Sequence, residues 1–159
     1  MMNVLIVYDT YFGNTEKAAH AMGDALRDQG EVKVVRVHDL RDEDLDHVEL
    51  LIVGSPTRAF APTKPISRFL KELDGEKYGG MKIAVFDTRM NVEETNVKIL
   101  KFMAKHKGYA ADTMIAILKK RGFNVLARFG EIYVAESEGP LQTGEIEKAA
   151  KWALNLLNT

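Results

Sequence analysis

A short polar loop follows the first apolar run of the chain and has the residue types of an anion-binding site. The loop, Asp9–Thr15, reads DTYFGNT and leads directly into an amphipathic stretch. Backbone N–H groups at the start of a helix attract phosphate, because the helix dipole and the unpaired amides both favour negative charge. Thr10 and Thr15 add hydroxyl donors and Asn14 adds an amide. Gly13 permits close approach of the backbone, so we predict a phosphate site here.

The loop differs from the two common nucleotide-binding motifs. No Gly-Lys-Ser/Thr sequence follows it, which excludes the P-loop of nucleotide hydrolases. It also lacks the three glycines of the dinucleotide fingerprint. The only nearby cation is Lys17, which lies inside the expected helix. Phosphate binding would therefore depend on backbone amides and neutral side chains.

The elements that must position this loop alternate between two kinds of periodicity. Continuous apolar runs are typical of strands covered on both faces of a parallel sheet, whereas i, i+3, i+4, i+7 stripes predict helices. The apolar runs are Val4–Tyr8, Val32–Val37, Leu50–Val53, Ile83–Phe86 and Ile132–Val134. The stripes are Ala18–Leu26, Ile66–Leu73, Ala111–Leu118 and Ile146–Leu157. This alternation predicts one α/β domain over residues 1–159, with a doubly wound sheet of five parallel strands.

The loop and its flanks resemble the signature of the flavodoxin family. That signature is matched at Ile6, Val7, Tyr8, Thr10, Gly13, Thr15 and Ala19. A second resemblance follows the third strand, where Thr57 of the segment Gly54–Phe60 matches a threonine that contacts the flavin. The resemblance implies the flavodoxin-like strand order 2-1-3-4-5 and FMN as the cofactor. It also implies a binding crevice where the ends of strands one and three lie side by side.

The resemblance further implies cofactor-binding residues in three loops. The first loop would hold the FMN 5′-phosphate, and the loops after strands three and four would border the isoalloxazine ring. The implied residues are Thr10, Tyr11, Phe12, Gly13, Asn14, Thr15, Ser55, Pro56, Thr57, Arg58, Phe60, Asp87, Thr88 and Arg89. No catalytic residue and no metal site is predicted, because the four histidines share no ligand spacing.

Two positions depart from the family pattern. Arg58 stands where many members stack a tryptophan on the ring, so we expect its guanidinium or Phe60 to take that role. The run Phe86–Asn91 replaces a common Gly-x-Gly-Asp sequence. The candidates for the second wall of the ring site are Met90, Met103 and Tyr109. Arg58 and Arg89 are both expected near the ring, where positive charge would favour its anionic reduced form.

An additional segment, residues 91–107, precedes the helix that follows strand four. Apolar residues fall on one side of a helical wheel there and lysines on the other; the apolar ones are Val92, Ile99, Leu100, Phe102 and Met103. This pattern predicts an extra amphipathic helix. Its apolar side would be buried either over the flavin crevice or in a homodimer contact, so we expect a monomer or a homodimer.

Composition excludes several functional classes. The chain is 46% apolar and 28% charged, with a net charge of −1, so no global basic field predicts nucleic-acid binding. It contains no cysteine, which excludes disulfides, thiol nucleophiles and iron–sulfur clusters. We expect no signal peptide and no membrane span, and a cytoplasmic location. Charge is uneven, however: residues 81–128 have ten Lys/Arg against four Asp/Glu, which predicts either a solvated surface or a docking patch.

Three functions remain open from the sequence. The first is an FMN electron carrier that docks transiently to redox partner proteins, a reductase and an acceptor. The second is an NAD(P)H:quinone-type reductase or a flavodoxin-like oxidase, which needs a pocket for a second substrate over the ring. The third is a phosphoacceptor receiver, which needs an aspartate after strand three and a lysine after strand five. Gly54–Pro56 and Tyr133–Glu136 contain neither residue, which weighs against the receiver.

Overall fold

The computed structural model describes residues 1–90, 98–136 and 138–159. Its centre is a sheet of five parallel strands in the order β2-β1-β3-β4-β5, which confirms the predicted doubly wound topology. The strands are β1 Met2–Tyr8, β2 Gly30–Arg36, β3 Leu50–Pro56, β4 Lys82–Met90 and β5 Val125–Val134. Tyr8 at the end of β1 pairs with Gly54 of β3, and Gly54 pairs with Phe86 of β4. The carboxyl ends of β1, β3 and β4 therefore meet at one edge of the sheet.

Helices cover both faces of the sheet. The described helices are α1 Asn14–Leu26, α2 Lys64–Glu72, α3 Gly75–Tyr78, α4 Lys98–Lys107, α5 Ala110–Lys120 and α6 Glu145–Leu156. Local sequence explains where α2 begins. The Thr63 hydroxyl accepts a hydrogen bond from Ile66 N at 3.4 Å, and Pro65 lies in the first turn, where its missing N–H is not needed.

Two hydrophobic cores lie on opposite faces of the sheet. Alternate residues of each central strand contribute to each core: Leu5 and Val7 pack with α2 and α5, whereas Val4 and Ile6 pack with α1 and α6. Both faces of β1 and β3 are therefore dry, which is why these strands are continuous apolar runs. Phe86 packs directly over Gly54, where an added Cβ would lie 2.0 Å from its ring. This close approach requires glycine on the strand that leads into the second loop.

The segment between β4 and α5 contains α4. The part of it that the structure describes as helix is Lys98–Lys107, and residues 91–97 lie outside the described residues. Ala104 is buried, but Ile99 is 64% exposed and Phe102 is 62% exposed. Within the single chain these two apolar side chains are therefore not buried, and their burial in a homodimer contact stays a prediction. No residue of α4 lines the cleft described below, so within its described part the helix does not cover that cleft.

Candidate functional site

A cleft of about 380 Å³ opens at the carboxyl edge of the sheet. It lies between the β1–α1 loop, the β3–α2 loop, the end of β4 and the β5–α6 loop, which is where open α/β sheets bind ligands. Its volume falls in the ~300–1,000 Å³ range of small-molecule sites. The lining residues are Thr10, Tyr11, Phe12, Asn14, Thr15, Pro56, Thr57, Arg58, Ala59, Phe60, Thr88, Arg89, Met90, Tyr109, Val134 and Glu138.

The β1–α1 loop has the geometry of an anion-binding turn. Gly13 precedes α1 with φ of 91°, a left-handed conformation that favours glycine. Its N–H donates to Thr10 Oγ1 at 2.9 Å, which closes the loop. No side chain caps the first turn of α1, so its amides are available to a ligand. We call this part of the cleft, Thr10–Thr15 with Thr88, the phosphate end.

Two threonines from distant parts of the chain meet at the phosphate end. Thr15 Oγ1 and Thr88 Oγ1 are 2.8 Å apart, and both residues are buried. One hydroxyl must donate to the other, which leaves the second hydroxyl with a proton to donate to a ligand oxygen. The end of β4 therefore contributes to the phosphate end, whereas the family resemblance implied that Thr88 borders the ring.

An ion pair holds the phosphate loop in place. Asp9 is buried and its Oδ1 accepts from Arg36 Nε at 3.1 Å and from Thr10 N at 2.9 Å. Arg36 Nη2 also donates to the Thr10 carbonyl at 2.9 Å. Sequence reasoning missed this anchor. A signal existed, because Asp9 and Arg36 end the neighbouring strands β1 and β2 and so lie at the same edge of the sheet.

The β5–α6 loop closes the cleft from the other side. Asn14 Nδ2 donates to the Glu138 carbonyl at 3.1 Å, so the amide predicted to face a phosphate instead holds this loop. Gly139 approaches so closely that an added Cβ would lie 2.6 Å from Asn14 Nδ2. Glu138 and Val134 line the cleft, and neither was singled out in the sequence.

The β3–α2 loop makes a tight turn at the opposite side of the cleft. Arg58 and Ala61 exchange two backbone hydrogen bonds of 3.0 Å, and Ala59 and Phe60 between them have φ of 49° and 63°. Two positive φ values define a type I′ turn, which is strained for residues other than glycine, asparagine and aspartate. The turn orients Phe60 edge-on to Tyr109, with ring centroids 6.5 Å apart. We call this part of the cleft, Pro56–Phe60 with Arg89, Met90 and Tyr109, the ring end.

Ser55 supports this loop from below. Its hydroxyl accepts from Thr63 N at 3.0 Å and donates to the Pro56 carbonyl at 2.9 Å, and the residue is fully buried. Ser55 therefore fixes the shape of the loop and does not line the cleft. Thr57 lies above it, and its hydroxyl accepts from Ala110 N at 3.1 Å, which ties the loop to the start of α5.

A buried ion pair forms the floor of the ring end. Asp87 and Arg89 make two parallel hydrogen bonds of 2.7 Å, and Asp87 Oδ2 also accepts from Ala111 N at 2.8 Å. The Arg89 guanidinium carbon lies 3.5 Å from the centre of the Tyr109 ring. Burial raises the pKa of the Asp87 carboxyl, and Arg89 and the amide act against that rise. The positive charge of Arg89 is therefore compensated within the protein.

Arg58 has a different environment. It is exposed, and its guanidinium lies over the rings of Tyr11 and Phe12, at 4.9 and 5.4 Å from their centres. Among the described residues, no ion pair involves it. The expected effect of positive charge on a ligand at the ring end therefore depends on Arg58. Arg89 does not have that role, because the Asp87 carboxylate, two residues away in the same strand, pairs with its guanidinium.

Most of the predicted site residues lie in this one cleft. Gly13, Ser55 and Asp87 do not line it and act through the hydrogen bonds described above. Of the candidates for the second wall, Met90 and Tyr109 line the cleft and Met103 does not. Within the described ranges, no group of acidic, histidine or cysteine residues could hold a metal ion. None of the helices in those ranges has the length and apolar character that a membrane crossing requires.

Comparison with known proteins identifies a family. The model of the family described as Flavodoxin matches residues 6–88. A flavodoxin of Aquifex aeolicus is 33% identical over 81 residues, which cover 50% of this chain and 44% of the relative. An uncharacterized protein of Methanocaldococcus jannaschii is matched over 19% of its length. The chain thus spans less than half the length of the curated relatives that it matches.

Solved structures share the fold at low identity. A flavodoxin from the domain Archaea has a TM-score of 0.74 and 19% identity, with 99% of this chain and 97% of that chain covered. A flavodoxin of Fusobacterium nucleatum bound to flavin mononucleotide has a TM-score of 0.67 and 15% identity, with 99% and 98% covered. These likenesses establish the flavodoxin-like fold independently of the sequence match.

Proposed function

The chain belongs to the flavodoxin family, and on that premise we propose that it binds FMN and carries electrons between redox proteins. Residues 1–159 would act as one FMN-binding domain. The observation that carries the proposal is the combination of two unlike ends in one cleft: uncapped helix amides with threonine hydroxyls at one end, and aromatic side chains at the other. FMN has the matching pair of groups, a phosphate and a flat ring.

The residues at the phosphate end fit the 5′-phosphate. The first-turn amides of α1 have no side-chain cap, and the Thr15–Thr88 pair has a hydroxyl proton to donate. Thr10 Oγ1 already accepts from Gly13 N, so its own proton is also available to a ligand. All these donors are neutral, and together with the dipole of α1 they would stabilise a dianion without a lysine.

The residues at the ring end fit a planar heterocycle. Phe60, Tyr109 and Met90 supply apolar contact area, and Thr57 fixes the loop that presents Phe60. FMN, when bound, accepts one or two electrons on its ring. The F. nucleatum relative that is bound to flavin mononucleotide supports the same cofactor here. Tyr11 is 55% exposed, Phe12 46% and Met90 38%, so the mouth of the cleft is accessible to a partner.

Family membership favours the carrier over the reductase or oxidase. A carrier needs one cofactor site and an accessible edge, which are the two features described above. We propose a reductase and an acceptor as its redox partners, in the cytoplasm, with the protein acting as a monomer or a homodimer. Turnover of NADPH with a quinone by the chain alone would instead favour the enzyme.

A pair of glycine variants tests the binding site. Gly13 and Gly122 have φ of 91° and 88°, and an added Cβ has no neighbour within 4 Å at either position. Alanine at each should therefore cost similar stability, roughly 1–2 kcal/mol, by straining a left-handed residue. Only Gly13→Ala should weaken FMN binding, because Gly122 follows α5 at the far end of the molecule.

FMN binding is measured from the visible spectrum, and electron transfer is measured from the reduction of cytochrome c. The FMN-loaded chain should pass electrons from an NADPH-dependent flavoprotein reductase to cytochrome c, and should consume no NADPH without that reductase. If wild-type chain binds no FMN, or if Gly13→Ala and Gly122→Ala lose FMN equally, the proposed site is wrong.

A further inference from the structure

Positive charge is concentrated on two segments that border the cleft. Residues 56–71 and 98–111 together contain eight Lys/Arg and no Asp/Glu. The rest of the chain has fourteen Lys/Arg against twenty-three Asp/Glu, so the net charge of −1 conceals a strong separation of charge. Such a separation creates a local positive potential that the overall charge does not predict.

The fold brings the two segments to the same side of the cleft. Thr57 of the first segment accepts a hydrogen bond from Ala110 N of the second, and α2 and α5 pack on the same face of the sheet. Helix α4 ends at Lys107, two residues before Tyr109, which lines the cleft. The C-terminal turn of α4, which contains Lys105, is thus joined to the ring end, and Lys98 begins α4 about 14 Å further away.

The cations of these segments are available to a partner. Arg58, Lys64, Lys98 and Lys105 are exposed. None of the four belongs to an ion pair with another described residue. Within the described part of the chain, they thus have no acidic partner of the kind that Arg36 and Arg89 have. We call this set, with Lys101, the basic face.

Apolar side chains lie at the mouth of the cleft beside the basic face. Tyr11, Phe12 and Met90 are each more than a third exposed and line the cleft, and Ile99 on α4 is 64% exposed. Aromatic residues, methionine and arginine are the residues enriched at the centres of protein interfaces, with charges at the rim. Apolar residues at the electron-transfer edge and a cationic border together describe a protein-docking surface.

We infer that the basic face is the docking surface for a redox partner protein whose own contact surface is acidic. This inference rests on the proposed function, because it takes the mouth of the cleft as the exit for electrons. Opposite charges steer the two proteins into encounter and raise the association rate, and the effect weakens as salt screens it. Nucleic acid would also be attracted to these cations, but its binding would not depend on the mouth of a redox cleft.

Two charge-reversal variants provide a matched comparison. Lys64→Glu/Lys105→Glu changes the basic face, and Lys119→Glu/Lys120→Glu makes the same change in charge at the far end of α5. All four lysines are exposed, so neither variant disturbs the core. Helix α5 has 11 residues, which places the control pair about 15 Å from the cleft. Lys64→Gln/Lys105→Gln provides a milder version of the first variant.

The probe is an acidic plant-type [2Fe–2S] ferredoxin, reduced and mixed with the FMN-loaded chain in a stopped-flow spectrometer. We expect the second-order rate constant to fall as ionic strength rises from ~0.01 M to ~0.15 M. Lys64→Glu/Lys105→Glu should lower it about tenfold at low salt. The glutamine variant should lower it less, and Lys119→Glu/Lys120→Glu should change it by less than about twofold.

The outcomes separate this inference from the proposed function. FMN titration of each variant comes first, and both pairs should bind FMN as wild type does. If FMN binding is unchanged but the two glutamate variants react with the ferredoxin at equal rates, the docking surface is refuted and the FMN site stands. The same holds if the rate constants rise with salt. If the wild-type chain binds no FMN, both the proposed function and the docking surface are refuted.

Discussion

Each end of the cleft is supported by an aspartate–arginine pair, and the two pairs differ in burial. At the phosphate end, Asp9 pairs with Arg36, whose side chain is 39% exposed. At the ring end, Asp87 pairs with Arg89, whose side chain is 6% exposed. The first pair fixes a loop while water still reaches one partner. The second pair is sealed between β4, Tyr109 and the start of α5, so each charge depends on the other.

The contrast has an energetic consequence. A charge that water can reach is stabilised by solvent when its partner is removed, whereas a sealed charge is not. The phosphate end should therefore tolerate changes to its ion pair and respond mainly through phosphate binding. The ring end should respond mainly through stability.

The largest expected effect is on the sealed pair. Asp87→Asn leaves the Arg89 charge buried without a counter-charge, and should lower the free energy of unfolding by about 3–5 kcal/mol. Asp9→Asn leaves Arg36 in contact with water and should cost only about 1 kcal/mol. Urea unfolding of the FMN-free variants measures both values. Equal losses would mean that the two pairs are equivalent and that the comparison fails.

The second effect separates the two ends by ligand. Thr15→Ala removes one hydroxyl of the buried Thr15–Thr88 pair. It should weaken FMN by roughly 1.5–3 kcal/mol, because this pair would donate to a charged phosphate. Riboflavin, which lacks the phosphate, should be affected far less. The matched variant at the ring end is Thr57→Ala, which should weaken FMN and riboflavin by similar factors. Fluorescence titration with both flavins measures these affinities. If Thr15→Ala weakened the binding of FMN and riboflavin equally, the assignment of the two ends would be wrong.

A smaller effect concerns backbone strain. The left-handed residue at the phosphate end is already glycine, whereas the ring end has Ala59 at φ of 49°. Ala59→Gly should relieve that strain and stabilise the chain by up to about 1 kcal/mol. Ala61→Gly, two residues later and without a positive φ, should destabilise it by about 0.5–1 kcal/mol. Thermal unfolding in which both variants lost stability alike would argue against a strained turn.

The smallest effect is electrostatic. Arg58 at the ring end has no ion-pair partner among the residues that the structure describes, so Arg58→Gln should make the second one-electron reduction of bound FMN less favourable. Because the guanidinium is exposed, the change should be only about 0.5 kcal/mol, or about 20 mV for one electron. A spectroelectrochemical titration measures it. An unchanged potential would place the Arg58 charge too far from the ring to matter.

The phosphate end could largely be predicted from the sequence, because its determinants are local. Thr10, Gly13 and Thr15 lie within one turn between a strand and a helix, and their types specify the loop. The sequence did not assign Thr88 to this end, since its contact with Thr15 spans 73 residues and exists only after β4 is placed beside β3. The alternation of periodicity predicted the five-stranded parallel sheet, and the family resemblance implied its strand order.

The ring end was predicted by residue but not by environment. Arg58 and Arg89 look alike in the sequence, yet one stacks on exposed aromatic rings and the other is buried against Asp87. Which carboxylate faces which guanidinium depends on the position of α5 and Tyr109, and these follow residues 91–107. The surroundings of helix α4 could not be predicted for the same reason. Its amphipathic pattern indicated a helix, but nothing local specified what its apolar side would contact.

The central claim is that the cleft holds a flavin with its phosphate at the β1–α1 loop. The most direct test is titration of the wild-type chain with FMN and with riboflavin, in which binding is measured by the quenching of flavin fluorescence. Several hydrogen bonds to a charged phosphate should make FMN bind at least about 100-fold more tightly than riboflavin. Equal affinity for the two flavins, or no binding of FMN, would contradict the account.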